Sequence, residues 1–200
     1  MTDSSTALWT AVGLGLSAAL MPGPLQAFFL AQALRRGWRN VWFLAFTPLL
    51  SDGPIVALTL LVLSRLPLTW LNALRVLGSA YLLWLAWQLA RSAARPEAQE
   101  DDARGRVRSL GQAVLINLVN PNPYIFWATV LGPPVVELAR QDWRAGVAVV
   151  VLFYGSMVLG SLGLLALFSR AHRLSAYWRQ RLTWLSAALL AGFALLLWVP

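Results

Sequence analysis

The chain contains no cysteine and no lysine, and only 12% of its 200 residues are charged. The absence of cysteine excludes disulfides and thiolate metal sites, and no cofactor is expected. A soluble domain of this length carries roughly a quarter of charged residues, so too few are present to cover a solvated surface. Hydrophobic residues make up 58% of the sequence and the mean hydropathy is +0.63. This composition is typical of a membrane protein.

Six segments carry almost no charge. They are residues 8–34, 41–64, 66–90, 109–136, 145–169 and 182–200. Asp52 is the single charged residue of the second segment and Arg75 that of the third. Because about 20 apolar residues cross a bilayer as a helix, the sequence predicts an all-α integral membrane protein. We expect six transmembrane helices in a single domain, residues 1–200. A cleaved signal peptide is the alternative for the N-terminus, but "MTDSST" lacks the basic residues of such a leader.

The arginines indicate how the chain is oriented. A net charge of +8 and a pI near 11.4 are compatible with nucleic-acid binding, but the arginines are not spread over one surface. Twelve of the sixteen lie in three alternate interhelix segments: Arg35, Arg36 and Arg39; Arg91, Arg95, Arg104, Arg106 and Arg108; Arg170, Arg173, Arg179 and Arg181. Cytoplasmic loops are enriched in basic residues. We therefore expect a multi-pass inner-membrane protein with both termini outside, and no nucleic-acid partner.

Two proline motifs divide the chain into similar halves. Pro22-Gly23-Pro24 and Pro121-Asn122-Pro123 are 99 residues apart, and each lies in the first of three predicted helices. An odd number of helices forces the second set to cross in the opposite sense, as in the inverted repeats of secondary transporters. We predict repeat one at 8–90, a cytoplasmic linker at 91–108 and repeat two at 109–200. A regulatory role for this linker is the alternative to a simple connection.

The prolines predict a break in helices one and four. A helical proline leaves the carbonyl four residues earlier without its partner, and it disfavours helical dihedrals in the preceding residue. We expect Gly23 and Asn122 to cap new half-helices that begin at Pro24 and Pro123. Their positive N-terminal dipoles would meet near the bilayer midplane, where they favour an anion such as a carboxylate. A packing kink is the alternative.

Asp52 is an acid near the centre of the second predicted helix. Placing a charged residue there costs about 2.5–3.5 kcal/mol on insertion scales, so such a residue faces a cavity, pairs with a partner or stays protonated. Two roles follow, namely holding a substrate ammonium group or carrying a coupling proton. Capping of a break at Gly53-Pro54 is the structural alternative.

Together these features predict a site for a zwitterionic small molecule. The predicted substrate-binding residues are Pro22, Gly23, Pro24, Gln26, Asp52, Asn117, Asn120, Pro121, Asn122, Pro123 and Tyr154. Asp52 is also the predicted proton-coupling residue. Tyr154 is included because it lies 31 positions after Pro123, much as Asp52 lies 28 after Pro24.

Three stretches resemble the lysine exporter (LysE/RhtB) family of amino-acid efflux proteins. They are "MPGPLQAFFLAQALRRGWR", "VLGSAYLLWLAW" and "LINLVNPNPYIFW", in the order that the family shows. The resemblance implies a six-helix inner-membrane exporter that moves amino acids or related small amines outward, driven by the proton gradient. Many members carry a lysine after the Asn-Pro pair, where this chain has Asn122. The resemblance therefore leaves the substrate open.

Two other classes of function compete with a transporter. A non-transporting membrane scaffold would use small residues such as Ser156, Gly160 and Gly163 for close helix contacts, within the chain or in a homodimer. An intramembrane enzyme would need a nucleophile with a base. The single histidine, His172, lies in a predicted loop among arginines, so we expect no enzyme. The expected partners are a small-molecule substrate and membrane lipid.

Overall fold

The computed structural model describes residues 4–62, 68–94, 103–171 and 175–196, and almost all of these are helical. The predicted all-α fold is confirmed, with no strand in these four ranges. The elements are α1 (Ser4–Leu20), α2 (Pro24–Arg36), 3₁₀ helices at Trp38–Asn40 and Trp42–Phe46, α3 (Thr47–Val62), α4 (Leu68–Ala94), α5 (Ala103–Leu118), α6 (Pro121–Phe126), a π-helical turn (Trp127–Leu131), α7 (Gly132–Gln141), α8 (Trp143–Arg170) and α9 (Ala176–Leu196).

The first proline motif lies between α1 and α2, whose axes differ by 60°. Gly23 is extended, with φ −168° and ψ 178°, and Pro24 occupies the first helical position of α2. The side-chain amide of Gln26 donates to the carbonyl oxygens of Ala18 and Ala19, at 3.4 and 3.2 Å. Gln26 thus satisfies backbone acceptors at the end of α1 that have no helical donor.

The second proline motif lies between α5 and α6, and here the predicted cap was wrong by two residues. Asn120, not Asn122, caps α6: its side-chain oxygen accepts from the Asn122 N–H at 3.1 Å. Asn120 precedes a proline and is held in extended conformation, while Pro121 takes the first helical position. Pro123 is tolerated at the third position because first-turn N–H groups have no intrahelical acceptor.

The end of α5 is closed by a side chain from the following half-helix, as the end of α1 is. The Tyr124 hydroxyl donates to the Leu118 carbonyl at 2.8 Å.

The π-helical turn Trp127–Leu131 is explained by the two prolines that follow it. Pro133 and Pro134 cannot donate to the carbonyls four residues earlier, and the Gly132 N–H bonds to Trp127, five residues back.

The main helix contacts join the first half of the chain to the second. α1 lies along α8, α3 packs against α5 and α6, and α4 packs against α9, which also contacts α2. Large apolar side chains such as Trp9, Val151, Leu159 and Leu195 remain exposed. An apolar exterior around a packed interior is what a lipid-facing helical bundle requires.

Two helical segments in the described part of the chain are long and apolar enough to span a membrane, Trp42–Thr59 and Trp143–Arg170. The bent pair of Thr6–Leu20 and Pro24–Arg36 adds a third if it forms one span. Six spans stay a prediction. In the predicted linker 91–108, α4 extends to Ala94 and α5 begins at Ala103, while 95–102 lie outside the described residues.

Small residues allow α1 and α8 to approach closely. A Cβ added at Gly15 would overlap the Ser156 hydroxyl and the Phe153 carbonyl oxygen, and one added at Gly160 would lie 2.8 Å from the Ala19 Cβ. Ser156 and Gly160 therefore pack within the chain. A Cβ added at Gly163, by contrast, would meet nothing within 4 Å.

Replacing Gly15 by alanine tests this contact. We expect Gly15→Ala to destabilise the detergent-solubilised protein by about 1–3 kcal/mol, because overpacking forces α1 away from α8. Thermal unfolding measures the effect. The matched control is Gly13→Ala, where a Cβ meets nothing within 4 Å. Equal midpoints for the two variants would show that α1 is not held against α8 in this way.

Candidate functional site

The centre of the site is the Asp52 carboxylate, which is only 5% exposed. Its Oδ1 accepts from the Asn117 side-chain amide at 2.7 Å, and its Oδ2 accepts from the Tyr154 hydroxyl at 2.9 Å. Asp52 belongs to α3, Asn117 to the last turn of α5 and Tyr154 to the middle of α8. The site therefore joins one helix of the first half of the chain to two of the second.

Ser51 completes the contact between α3 and α5. The Asn117 amide donates one hydrogen to the Ser51 hydroxyl and one to Asp52, both at 2.7 Å. The Ser51 hydroxyl has a single hydrogen, for which the Thr47 carbonyl lies at 3.0 Å and Asp52 Oδ1 at 3.3 Å. We assign this hydrogen to Thr47, the shorter of the two contacts.

All of these partners of Asp52 are uncharged. A carboxylate has about four lone-pair positions, and Asn117 and Tyr154 occupy two of them. Apart from the 3.3 Å contact of the Ser51 hydroxyl with Oδ1, no donor among the described residues occupies the remaining positions. The capping role considered for Asp52 does not fit, because α3 continues through Gly53 and Pro54 and the carboxylate bonds to other helices.

An aromatic wall supports Tyr154. Its ring stacks on Trp127 with centroids 6.2 Å apart, and Phe153 packs edge-on against it at 5.1 Å. Trp127 is 2% exposed. Its indole N–H has no hydrogen-bond partner among the described residues. An unsatisfied buried donor of this kind costs about 1–3 kcal/mol.

The structure brings together three of the predicted residues: Asp52, Asn117 and Tyr154. The other polar ones act within their own helix breaks, since Gln26 bonds to α1 and Asn120 caps α6. The prolines and Gly23 shape those breaks, with Pro24 and Pro121 buried, Gly23 and Pro123 half-buried, and Pro22 and Asn122 exposed. For these eight residues a contact with substrate stays a prediction.

Sequence reasoning missed Ser51, Tyr124 and Trp127. Ser51 precedes Asp52 directly, and a hydroxyl next to a membrane-embedded acid is a usable signal. Nothing in the sequence distinguishes Trp127 from the other tryptophans. In the structure, however, Trp9 and Trp143 are 76% and 64% exposed whereas Trp127 is buried.

No cluster of metal-binding side chains occurs within the described ranges. His172 lies outside them.

Comparisons with known proteins give matches over most of the chain. The family profile described as LysE type translocator matches residues 16–199. A cysteine/O-acetylserine efflux protein of Klebsiella pneumoniae subsp. pneumoniae is 28% identical over 184 residues, which is 88% of each chain. A protein of the same description from Salmonella choleraesuis is 28% identical over 76% of each chain. An uncharacterized membrane protein of Pseudomonas aeruginosa is 27% identical over 88% of this chain and 84% of its own. No solved structure matches.

The hydrogen bond from Tyr154 can be tested by removing its hydroxyl. We expect Tyr154→Phe to lower the free energy of unfolding by about 0.6–2 kcal/mol, the range for hydrogen bonds in membrane proteins, while the ring stays stacked on Trp127. Thermal unfolding in detergent measures it. Tyr177→Phe, at an exposed residue, is the control and should leave the midpoint unchanged. Identical midpoints for both variants would contradict the bond to Asp52.

Proposed function

The chain belongs to the LysE type translocator family, and from this premise we propose that it exports a small amino acid or related amine across the inner membrane by proton antiport. As a member of this family it is a transporter and not an enzyme. The observation that carries the proposal is the buried Asp52 carboxylate, held by uncharged donors from α5 and α8.

The proposed architecture is six membrane spans in two inverted repeats, with both termini outside. Its spans are α1 with α2, α3 with the preceding 3₁₀ turn, α4, the run from α5 to α7, α8, and α9. The packing supports this arrangement. The first helix of each repeat contacts the second helix of the other, as α1 does with α8 and α5 with α3, and the third helices α4 and α9 pack together. Reciprocal contacts of this kind are expected between two repeats that are related by a two-fold axis.

In the proposed mechanism a proton and a substrate ammonium group compete for the open lone pairs of Asp52. The ammonium group binds the ionised carboxylate, and a proton arriving from outside neutralises it and releases the substrate. Because both occupy the same acceptor positions, they bind in alternation. Alternate binding of this kind couples outward movement of substrate to inward movement of protons.

For the substrate carboxylate we propose the N-terminal ends of α2 and α6. Backbone N–H groups and the dipole at a helix start favour an anion. The indole N–H of Trp127, which has no hydrogen-bond partner within the described ranges, is a further donor. The remaining predicted contacts are Pro22, Gly23, Pro24, Gln26, Asn120, Pro121, Asn122 and Pro123.

The first substrates to test are cysteine and O-acetylserine. Two relatives are named as efflux proteins for these molecules, and both are small zwitterions of the kind that the proposed site suits. The site presents Asn122 where many family members carry a lysine, so it adds no further positive charge for the substrate.

Asp52→Asn is the decisive variant. Asparagine keeps the size of the side chain but can neither ionise nor exchange a proton. We expect uptake into acid-loaded proteoliposomes diluted into neutral buffer to fall to the rate of protein-free liposomes, for every amino acid that the wild type transports.

The matched control is Glu137→Gln, an exposed acid far along the chain in α7, which should transport at the wild-type rate. Detergent solubility and thermal midpoint verify that both variants fold. Proton-driven transport by folded Asp52→Asn protein at the wild-type rate would remove Asp52 from the mechanism.

The proline breaks distinguish a transporter from a membrane scaffold. We expect Pro24→Ala and Pro121→Ala each to reduce the transport rate by about tenfold or more, because misplacing a binding group by 1 Å can cost about a hundredfold. Both alanines can continue a helix, so folding should survive. Gly13→Ala, at a position in α1 where an added Cβ meets nothing within 4 Å, is the control. A protein that transports no member of a full amino-acid panel, with or without these changes, would fit a scaffold.

A further inference from the structure

A cavity of about 520 Å³ lies between the end of α2 and the end of α8, well away from Asp52. Arg36, Arg39 and Arg170 line it. Ser169, which also lines it, follows Tyr154 by fifteen residues in α8, and this corresponds to about 22 Å of helix. The cavity is therefore a second site at one end of the bundle. The arginine distribution predicts that this end is cytoplasmic.

The chain turn at Gly37 builds one wall of the cavity. Gly37 has φ 69° and ψ 173°, and a positive φ of this kind favours glycine. The turn separates α2 from the short 3₁₀ helix Trp38–Asn40, so that Arg36 before it and Arg39 after it line the same space. The opposite wall comes from the last turn of α8, with Ser169 and Arg170.

The polar groups of this cavity suit an anion. Three guanidinium groups line it and no acidic side chain does; the acids that the structure describes, Asp52, Glu137 and Asp142, are all elsewhere. The Ser169 side chain is only 9% exposed, and its hydroxyl has no hydrogen-bond partner in the described part of the chain. An unpartnered buried hydroxyl is costly, and an oxyanion in the cavity would give it an acceptor.

We propose that this cavity binds a phosphate group, presented by an anionic lipid headgroup or by a free phosphate anion. Arginine forms paired hydrogen bonds with phosphate oxygens, and 520 Å³ accommodates a headgroup. Basic pockets between helices on the cytoplasmic side are characteristic binding sites for such headgroups. Trp38, 39% exposed beside the cavity, is a residue type that favours the membrane–water interface.

The experiment uses the full chain, purified in detergent or in phosphatidylcholine nanodiscs with and without phosphatidylglycerol. One arm counts the phosphatidylglycerol retained per protein by native mass spectrometry. The other arm titrates inorganic phosphate in lipid-free detergent and follows the thermal midpoint. The variants are Arg39→Gln with Arg170→Gln, and Ser169→Ala. The matched control is Arg106→Gln, an exposed arginine in the same basic part of the chain that does not line the cavity.

We expect saturable binding in one arm and a loss of affinity of about tenfold or more in the double arginine variant, since charge-assisted hydrogen bonds to phosphate are strong. Arg106→Gln should bind like the wild type. Retention of phosphatidylglycerol identifies a lipid, whereas a phosphate-dependent midpoint identifies a free anion. No saturable binding in either arm, or an equal loss in Arg106→Gln, would overturn the proposal.

If the double variant does not fold, Ser169→Ala decides the question. Loss of its hydroxyl should weaken binding by about tenfold, the effect of one hydrogen bond to a charged acceptor, and unchanged affinity would count against the site.

Discussion

The structure is organised around one acid, Asp52, which lies buried inside a largely apolar bundle. Asp52 has no charged partner among the described residues; an amide from α5 and a phenol from α8 hold its two oxygens instead. Uncharged donors stabilise a carboxylate without neutralising it. An arginine partner would have fixed the negative charge permanently in a salt bridge. The arrangement seen here leaves the carboxylate able to gain and lose a proton.

The two proline breaks leave backbone carbonyls without helical donors, and side chains close to each break satisfy these carbonyls. Each half-helix that follows a break sends back one side chain from its first turns: Gln26 to the carbonyls of α1 and Tyr124 to the carbonyl of Leu118. Backbone acceptors freed in a membrane must be satisfied by protein or by water in a cavity. The breaks are therefore self-contained, and their geometry does not require a bound ligand.

Much of this could be predicted from the sequence because embedded charge and proline are strong local signals. Asp52 is predicted as the single acid in its helix, Asn117 as an amide beside the second proline motif and Tyr154 from its spacing to that motif. The structure joins all three. The cap at Asn120 was missed because Pro121 and Pro123 both suit the start of a helix, and only the backbone path distinguishes them. Trp127 was missed because burial of one tryptophan among eleven is decided by packing. Likewise, the cavity at Arg39 and Arg170 brings together residues far apart in sequence.

The close packing of α1 on α8 has a consequence for how the bundle can move. With Gly15 against Ser156 and Ala19 against Gly160, these two helices have almost no space to slide past each other, so they behave as one rigid unit. Tyr154 travels with that unit, whereas Asp52 travels with α3. The 2.9 Å bond between their side chains therefore joins the α1–α8 pair to α3, and any movement of one relative to the other would have to stretch or break it.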